Sequence, residues 1–179
     1  MRRVYLVGFV ATVLLAHGVL SEAAAGSKYN ACGLLAAAEL KATVNASLDR
    51  MEDRDVVIPS GPSKGETMST CTWVLGGTFV SLNVIHAPLT AEQKAAGLNG
   101  LRTVEAGLVK KGWTVEPGKV AGADCNAYTP PASEGPARPF TSCMMQAKGL
   151  GFWLGVHGAS ALSSQQVKAL ADKVAARLP

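Results

Sequence analysis

The chain opens on a long apolar run and then breaks into short amphipathic pieces. Val4 to Leu20 is apolar, softened by Gly8, His17 and Gly18, and it follows the basic pair Arg2-Arg3. Ala23-Ala24-Ala25 places small residues just before Gly26. Charged, apolar and small segments in that order make a secretory signal peptide. The run is slightly short for a membrane span, and no basic cluster stops it. Residues 1–25 are therefore expected to be cleaved, with no cysteine nearby to carry a lipid. Residues 26–179 form one secreted domain.

Past the leader, two periods alternate. Leu34, Ala37, Leu40 and Val44 make one helical stripe, predicting a helix from about Gly33 to Ala46. Residues 49–67 are polar and read as a loop, interrupted by Val56-Val57-Ile58 as a short edge strand. Met68–Leu75 and Thr78–His86 alternate with period two across Gly76-Gly77, a hairpin signal. Thr90 with Gln93 forms a capping box for a helix running to Gly112. Its stripe is Ala91, Ala95, Leu98, Leu101, Val104 and Leu108. Gly97, Gly100 and Gly107 weaken that helix, and mark either close packing on a sheet or a break near Asn99-Gly100.

The C-terminal half repeats this grammar. Trp113-Thr114-Val115 and Asp124–Tyr128 read as short strands, and Thr129–Pro139 as a proline-rich loop. Phe140–Ala147 and Leu150–His157 form a second hairpin turned at Lys148-Gly149. Ser163 and Gln166 cap a last helix striped by Val167, Leu170, Val174 and Leu178. Aligning Cys71 with Cys143 sets Val80, Leu82 and Val84 on Phe152, Leu154 and Val156. Two readings of this likeness stand: a decayed duplication, or two ordinary hairpins each followed by a capped helix. Both give the same class, α+β: an antiparallel sheet of two hairpins plus short strands, packed by about three helices.

Composition narrows the partners. The formal charge of +4 becomes +3 once Arg2, Arg3 and Glu22 leave with the leader. Lys and Arg are scattered, and only 6% of residues are aromatic, so neither a nucleic-acid stripe nor a base-stacking platform is present. No mature stretch is apolar enough to span a membrane. Cys32, Cys71, Cys125 and Cys143 all lie in the mature part. An even count behind a leader reads as two disulfides. Three pairings exist. Cys32–Cys71 with Cys125–Cys143 is preferred, because each ties a segment to its own sequence neighbourhood. Zinc-type spacing is absent.

Cys32-Gly33-Leu34-Leu35, Ala38-Glu39-Leu40 and Cys71-Thr72-Trp73 resemble the opening of several uncharacterised bacterial envelope-domain families. There a Cys-x-Leu-Leu helix is followed by a Cys-x-Trp strand, and some members are similar to the PsbP-like α/β sandwiches. The likeness covers about residues 30–75. It implies a secreted α/β module and carries over no catalytic residue.

Candidate chemistry is sparse. There is no Gly-x-Ser-x-Gly elbow and no His-Glu-x-x-His helix, and no cofactor is expected. His86 and His157 each sit near the end of a hairpin's second strand. They would meet if the hairpins are neighbours, as a pair of general bases or as a copper site with Met144 and Met145 as soft ligands. The other candidate is the segment between Cys125 and Cys143. Its prolines stiffen the backbone, and Tyr128, Arg138 and Phe140 flank them as contact residues for a protein or peptide of the cell envelope. The expected function is a periplasmic or extracellular, non-enzymatic binding module. The alternatives are a small hydrolase without a recognisable motif, or a copper-handling protein.

Overall fold

The computed structural model describes residues 29–118, 122–134, 138–158 and 162–179. The leader expected over residues 1–25, and its cleavage site, lie outside the described residues.

Among the described residues, a seven-stranded, wholly antiparallel sheet is flanked by three α-helices. A 3-10 turn, Ala31–Gly33, leads into α1, Ala37–Val44. The strands are β1 Leu48–Val57, β2 Thr67–Leu75, β3 Thr78–Pro88, β4 Thr114–Gly118, β5 Asp124–Thr129, β6 Phe140–Ala147 and β7 Leu150–Gly158. Helix α2, Ala91–Lys110, follows β3, and α3, Ser164–Arg177, ends the chain. The order across the sheet is β1-β2-β3-β7-β6-β5-β4.

Both expected hairpins form where the period changed. Gly76 and Gly77 adopt φ of 53° and 80°, and Lys148 and Gly149 adopt 51° and 84°. Positive φ at both central residues gives a turn whose twist matches that of the strands. The second strands of the two hairpins pair at the sheet centre, Val80 with Val156, Leu82 with Leu154 and Val84 with Phe152. The residues matched in the sequence thus lie symmetrically about the Leu82–Leu154 pair. Each cysteine strand flanks that pair in turn, Cys71 opposite Leu82 and Cys143 opposite Leu154.

One face of the sheet, here the inner face, carries the core. Trp73, Leu75, Val80, Leu82, Val84, Phe152, Leu154 and Val156 point into it and are buried. The 3-10 turn covers β2 and β3, and α3 covers β5, β6 and β7. The α3 stripe Val167, Leu170, Val174 and Leu178 is buried as its spacing predicted. Glu39 of α1 joins the helices on this face: it accepts from Arg177 Nη1 at 2.6 Å and Nη2 at 2.9 Å, and pairs with Lys173 Nζ at 3.2 Å. Both disulfides lie here with the preferred pairing, Cys32–Cys71 and Cys125–Cys143. The first pins the 3-10 turn onto β2. The second joins directly opposed residues of β5 and β6.

Three expectations are corrected. The first helix does not run unbroken from Gly33. Cys32 is fixed to the sheet and Leu34 and Leu35 are buried, so the chain bends before α1 begins at Ala37. The polar segment after it is not mainly loop: nine residue pairs, Leu48 with Leu75 through Val57 with Thr67, place it as β1 along β2. This strand is solvated on both faces, so it lacks the alternation that marks a half-buried strand. Its charges suit an edge that must not pair with another chain. Finally, the glycines of α2 mark neither a close approach nor a break. The helix is continuous, and a Cβ on Gly97, Gly100 or Gly107 would meet nothing within 4 Å.

Candidate functional site: a cavity between helix α2 and the outer sheet face

The two capped helices take opposite faces. A register irregularity between Val84 and Pro88 turns the chain out of β3. Leu89 then lands over Gly151, where a Cβ would come within 2.3 Å of Leu89 Cδ1. That seat directs α2 onto the outer face, while α3 packs on the inner one. Thr90 and Gln93 form the expected capping box, and Gln93 Nε2 also donates to the Pro62 carbonyl at 3.0 Å.

Helix α2 is held loosely along its length. None of its residues is buried, and Val104 and Val109 are more than half exposed. Its half-buried side turned to the sheet includes Lys94, Leu98, Leu101, Glu105 and Leu108, at spacings of four, three, four and three. The expected stripe was right at Leu98, Leu101 and Leu108 and wrong at Ala91, Ala95 and Val104, which are exposed. Near the C-terminal end a polar latch takes over from packing. Glu105 Oε1 accepts from Tyr128 Oη at 2.8 Å and from Asn126 Nδ2 at 2.5 Å. Burial, and then the bond to Glu105, push the Tyr128 hydroxyl up to about 12, so it remains a donor.

Towards the other end the helix stands away from the sheet over a cavity of about 780 Å³. Met68, Ile85, Met144 and Trp153 supply its apolar floor, and Leu89, Gly97 and Leu98 its roof. Asn83 and Gln146 are neutral polar groups on its wall, and Lys94 and Asp124 are its charged residues among those described. Asn83 Oδ1 is already engaged, accepting from Thr70 Oγ1 at 2.9 Å. The hollow has a sequence cause. The outward positions of β7 are Gly151, Trp153, Gly155 and His157, so every second one has no side chain. A Cβ on Gly155 would lie 3.3 Å from Trp153 Cζ2, and its absence leaves room for the indole along the sheet. Glycines at alternate positions of a central strand mark a close approach; that signal was available in the sequence.

No protein-family model matches the chain, and no curated protein is significantly similar to it. A volume in the range of roughly 300–1,000 Å³, apolar walls and a few polar groups are the marks of a small-molecule pocket. Methionines at the floor can repack around different shapes.

The contact residues expected from the sequence are placed differently. Asn126–Tyr128 and Phe140–Ser142 pair in the β5–β6 ladder, in the strands expected there, and Thr129 joins β5 opposite Thr114, so the proline-rich connection begins one residue later than expected. Its residues 135–137, with Pro136, lie outside the described residues. Tyr128 is buried at 2% exposure, with its ring stacked on Phe140 at 4.0 Å and its hydroxyl on Glu105. It serves to hold α2 and is not open to a partner. Phe140 continues the stack to His157 at 4.9 Å. Arg138 is exposed and donates to the Gly77 carbonyl at 3.3 Å. The three residues do not form one exposed patch.

Nor are the metal candidates brought together. The strands of His86 and His157 are neighbours, but they run antiparallel and His157 pairs with Phe79. His157 faces outward, where burial pushes its imidazole pKa down. His86 faces inward, edge-on to Tyr29 at 5.3 Å, with Nε2 3.0 Å from Ser69 Oγ. Met144 and Met145 point to opposite faces of β6. Among the described residues no cluster of three His, Cys, Asp or Glu side chains could hold a metal.

The hydrolase reading meets a similar obstacle. Ser69, His86 and Asp55 do come together, with Asp55 Oδ1 2.5 Å from Ser69 Oγ. In a nucleophile relay the acid orients the histidine's far nitrogen. Here the acid contacts the serine, which is wholly buried and 2.5 Å from the Tyr29 carbonyl oxygen. The group ties β1, β2 and β3 to the N-terminal segment.

Proposed function

We propose that this protein is a non-enzymatic binding protein of the periplasm or extracellular space. Its ligand is a lipophilic small molecule held between α2 and the outer face of the sheet. The single observation that carries this is the 780 Å³ apolar cavity under a helix with no buried residue. A structural helix of this length would bury a stripe of apolar side chains. This one spans its cavity with half-buried Leu98 and with Gly97, and is tied down at its far end by Glu105. Such a helix can lift to admit a ligand at low cost in buried area.

The compartment rests on the leader-like start and on two disulfides, which persist in oxidising environments. No helix among the described residues is long and apolar enough to cross a membrane.

The test is a titration of the purified mature protein with phenylnaphthylamine, a neutral dye that fluoresces in apolar sites. Saturable binding at one site per chain, with energy transfer from tryptophan, is expected. A Trp153→Phe variant should lose most of that transfer. Absence of saturable binding in folded protein overturns the proposal.

A further inference from the structure

We infer that the ligand is an anionic amphiphile, with Lys94 as the residue that takes its acidic head group; this rests on the cavity reading just given. The inward side of α2 carries two charges, and they are treated differently. Glu105 is satisfied twice over, by Tyr128 and by Asn126. Lys94 lines the cavity half-buried and makes no ion pair or side-chain hydrogen bond with any described residue. Its position is unfavourable on another count. It stands four residues after the Thr90 cap, where the helix dipole favours anions and disfavours cations. Lysine is a good helix former, but neither the dipole nor a partner among the described residues gives its charge a reason to stand there. An anion delivered by a ligand supplies one, because the surrounding walls are apolar and strengthen a charge pair formed against them. Asp124, the anion on the wall, is exposed and keeps its water, so it does not require a ligand cation.

The geometry sets the ligand's shape. An apolar body lies over Met144, Ile85 and Trp153, and a single acidic group reaches Lys94. Carboxylate and phosphate heads share this chemistry. A single-chain carboxylate is the simplest probe, and a single-chain monoalkyl phosphate separates the two sources.

Dodecanoate, dodecyl phosphate, dodecanol and dodecyltrimethylammonium are each used to displace phenylnaphthylamine below their micellar concentrations. The two anions should bind at least about tenfold more tightly than dodecanol, a modest gain for one charge-assisted contact. Lys94→Gln should erase that preference without weakening dodecanol binding or lowering thermal stability. Asp124→Asn should not weaken the anions. Tightest binding by the cationic probe, or an anion preference that survives Lys94→Gln, overturns the inference while leaving the cavity reading intact. Failure of dye and all amphiphiles to bind folded protein overturns the cavity reading itself. A preference for one anion over the other that is lost in Lys94→Gln supports the inference and names the head group.

Discussion

Gly97→Leu separates stability from function more sharply than any other single change. Gly97 lies in the middle of the first half of α2 and lines the cavity. A Cβ there meets nothing within 4 Å, so the new side chain starts from open space without a clash at its root. Glycine in a helix interior costs about 0.8–1.0 kcal/mol relative to alanine, and leucine nearly matches alanine. Most of that is recovered on substitution. The leucine also removes apolar area from water against the cavity floor, worth about 25 cal/mol per Å². Together these should stabilise the protein by about 1–2 kcal/mol. In a domain of this size that raises the melting temperature by roughly 2–8 °C. Dye affinity should fall at least about tenfold, equivalent to 1.4 kcal/mol, because the side chain occupies the ligand's place. Gly107→Leu is the control: it offers the same helix gain, and Gly107 does not line the cavity. It should stabilise without affecting binding. Urea unfolding and dye titration on the three proteins measure both quantities. A destabilised fold in Gly97→Leu, or dye binding as tight as the parent's, would refute this role for Gly97.

Two further predictions bear on what positions the site. Gly151→Ala places a methyl within 2.3 Å of Leu89 Cδ1 and 3.2 Å of its Cγ, so the Leu89 side chain must shift on its seat. A destabilisation of about 1–3 kcal/mol is expected, with faster amide exchange in the first turns of α2; unchanged exchange there would contradict the role given to that seat. Glu39→Gln tests the tie between α1 and α3. Hydrogen bonds from Arg177, then the Ala36 backbone N–H, hold the Glu39 carboxyl near 2, below its usual 4.5. The unfolded chain therefore binds the proton first as pH falls, so this contribution is complete above about pH 4.5 and lost towards pH 2. The ion partners are partly exposed, so about 1 kcal/mol is at stake. Between pH 5 and 2, unfolding free energy should fall less steeply in Glu39→Gln than in the parent; parallel profiles would refute the assignment.

The amino-acid sequence determined the parts whose cause is local. Paired turn residues fixed both hairpins, since Gly76-Gly77 and Lys148-Gly149 alone make those turns. Thr90 with Gln93 and Ser163 with Gln166 fixed where α2 and α3 begin. Period-two and helical stripes fixed the inner face, from Leu82 and Leu154 to Val167 and Val174, because burial on one side writes itself into the spacing. The cysteine count called for two disulfides and near-neighbour pairing favoured the connectivity found, while leaving two other pairings open. What the spacing could not carry is which face each helix takes. The two helix starts look alike in sequence, yet α2 and α3 lie on opposite sides of the sheet. The choice rests on the irregular end of β3 and the Leu89–Gly151 contact, which joins residues far apart in the chain. The same holds for β1, whose exposed faces leave no pattern, and for Tyr128, whose burial depends on Glu105 arriving from α2. The cavity is the clearest case. It exists because a helix that reads as amphipathic meets a strand face hollowed by Gly151 and Gly155, and an empty volume belongs to neither segment alone.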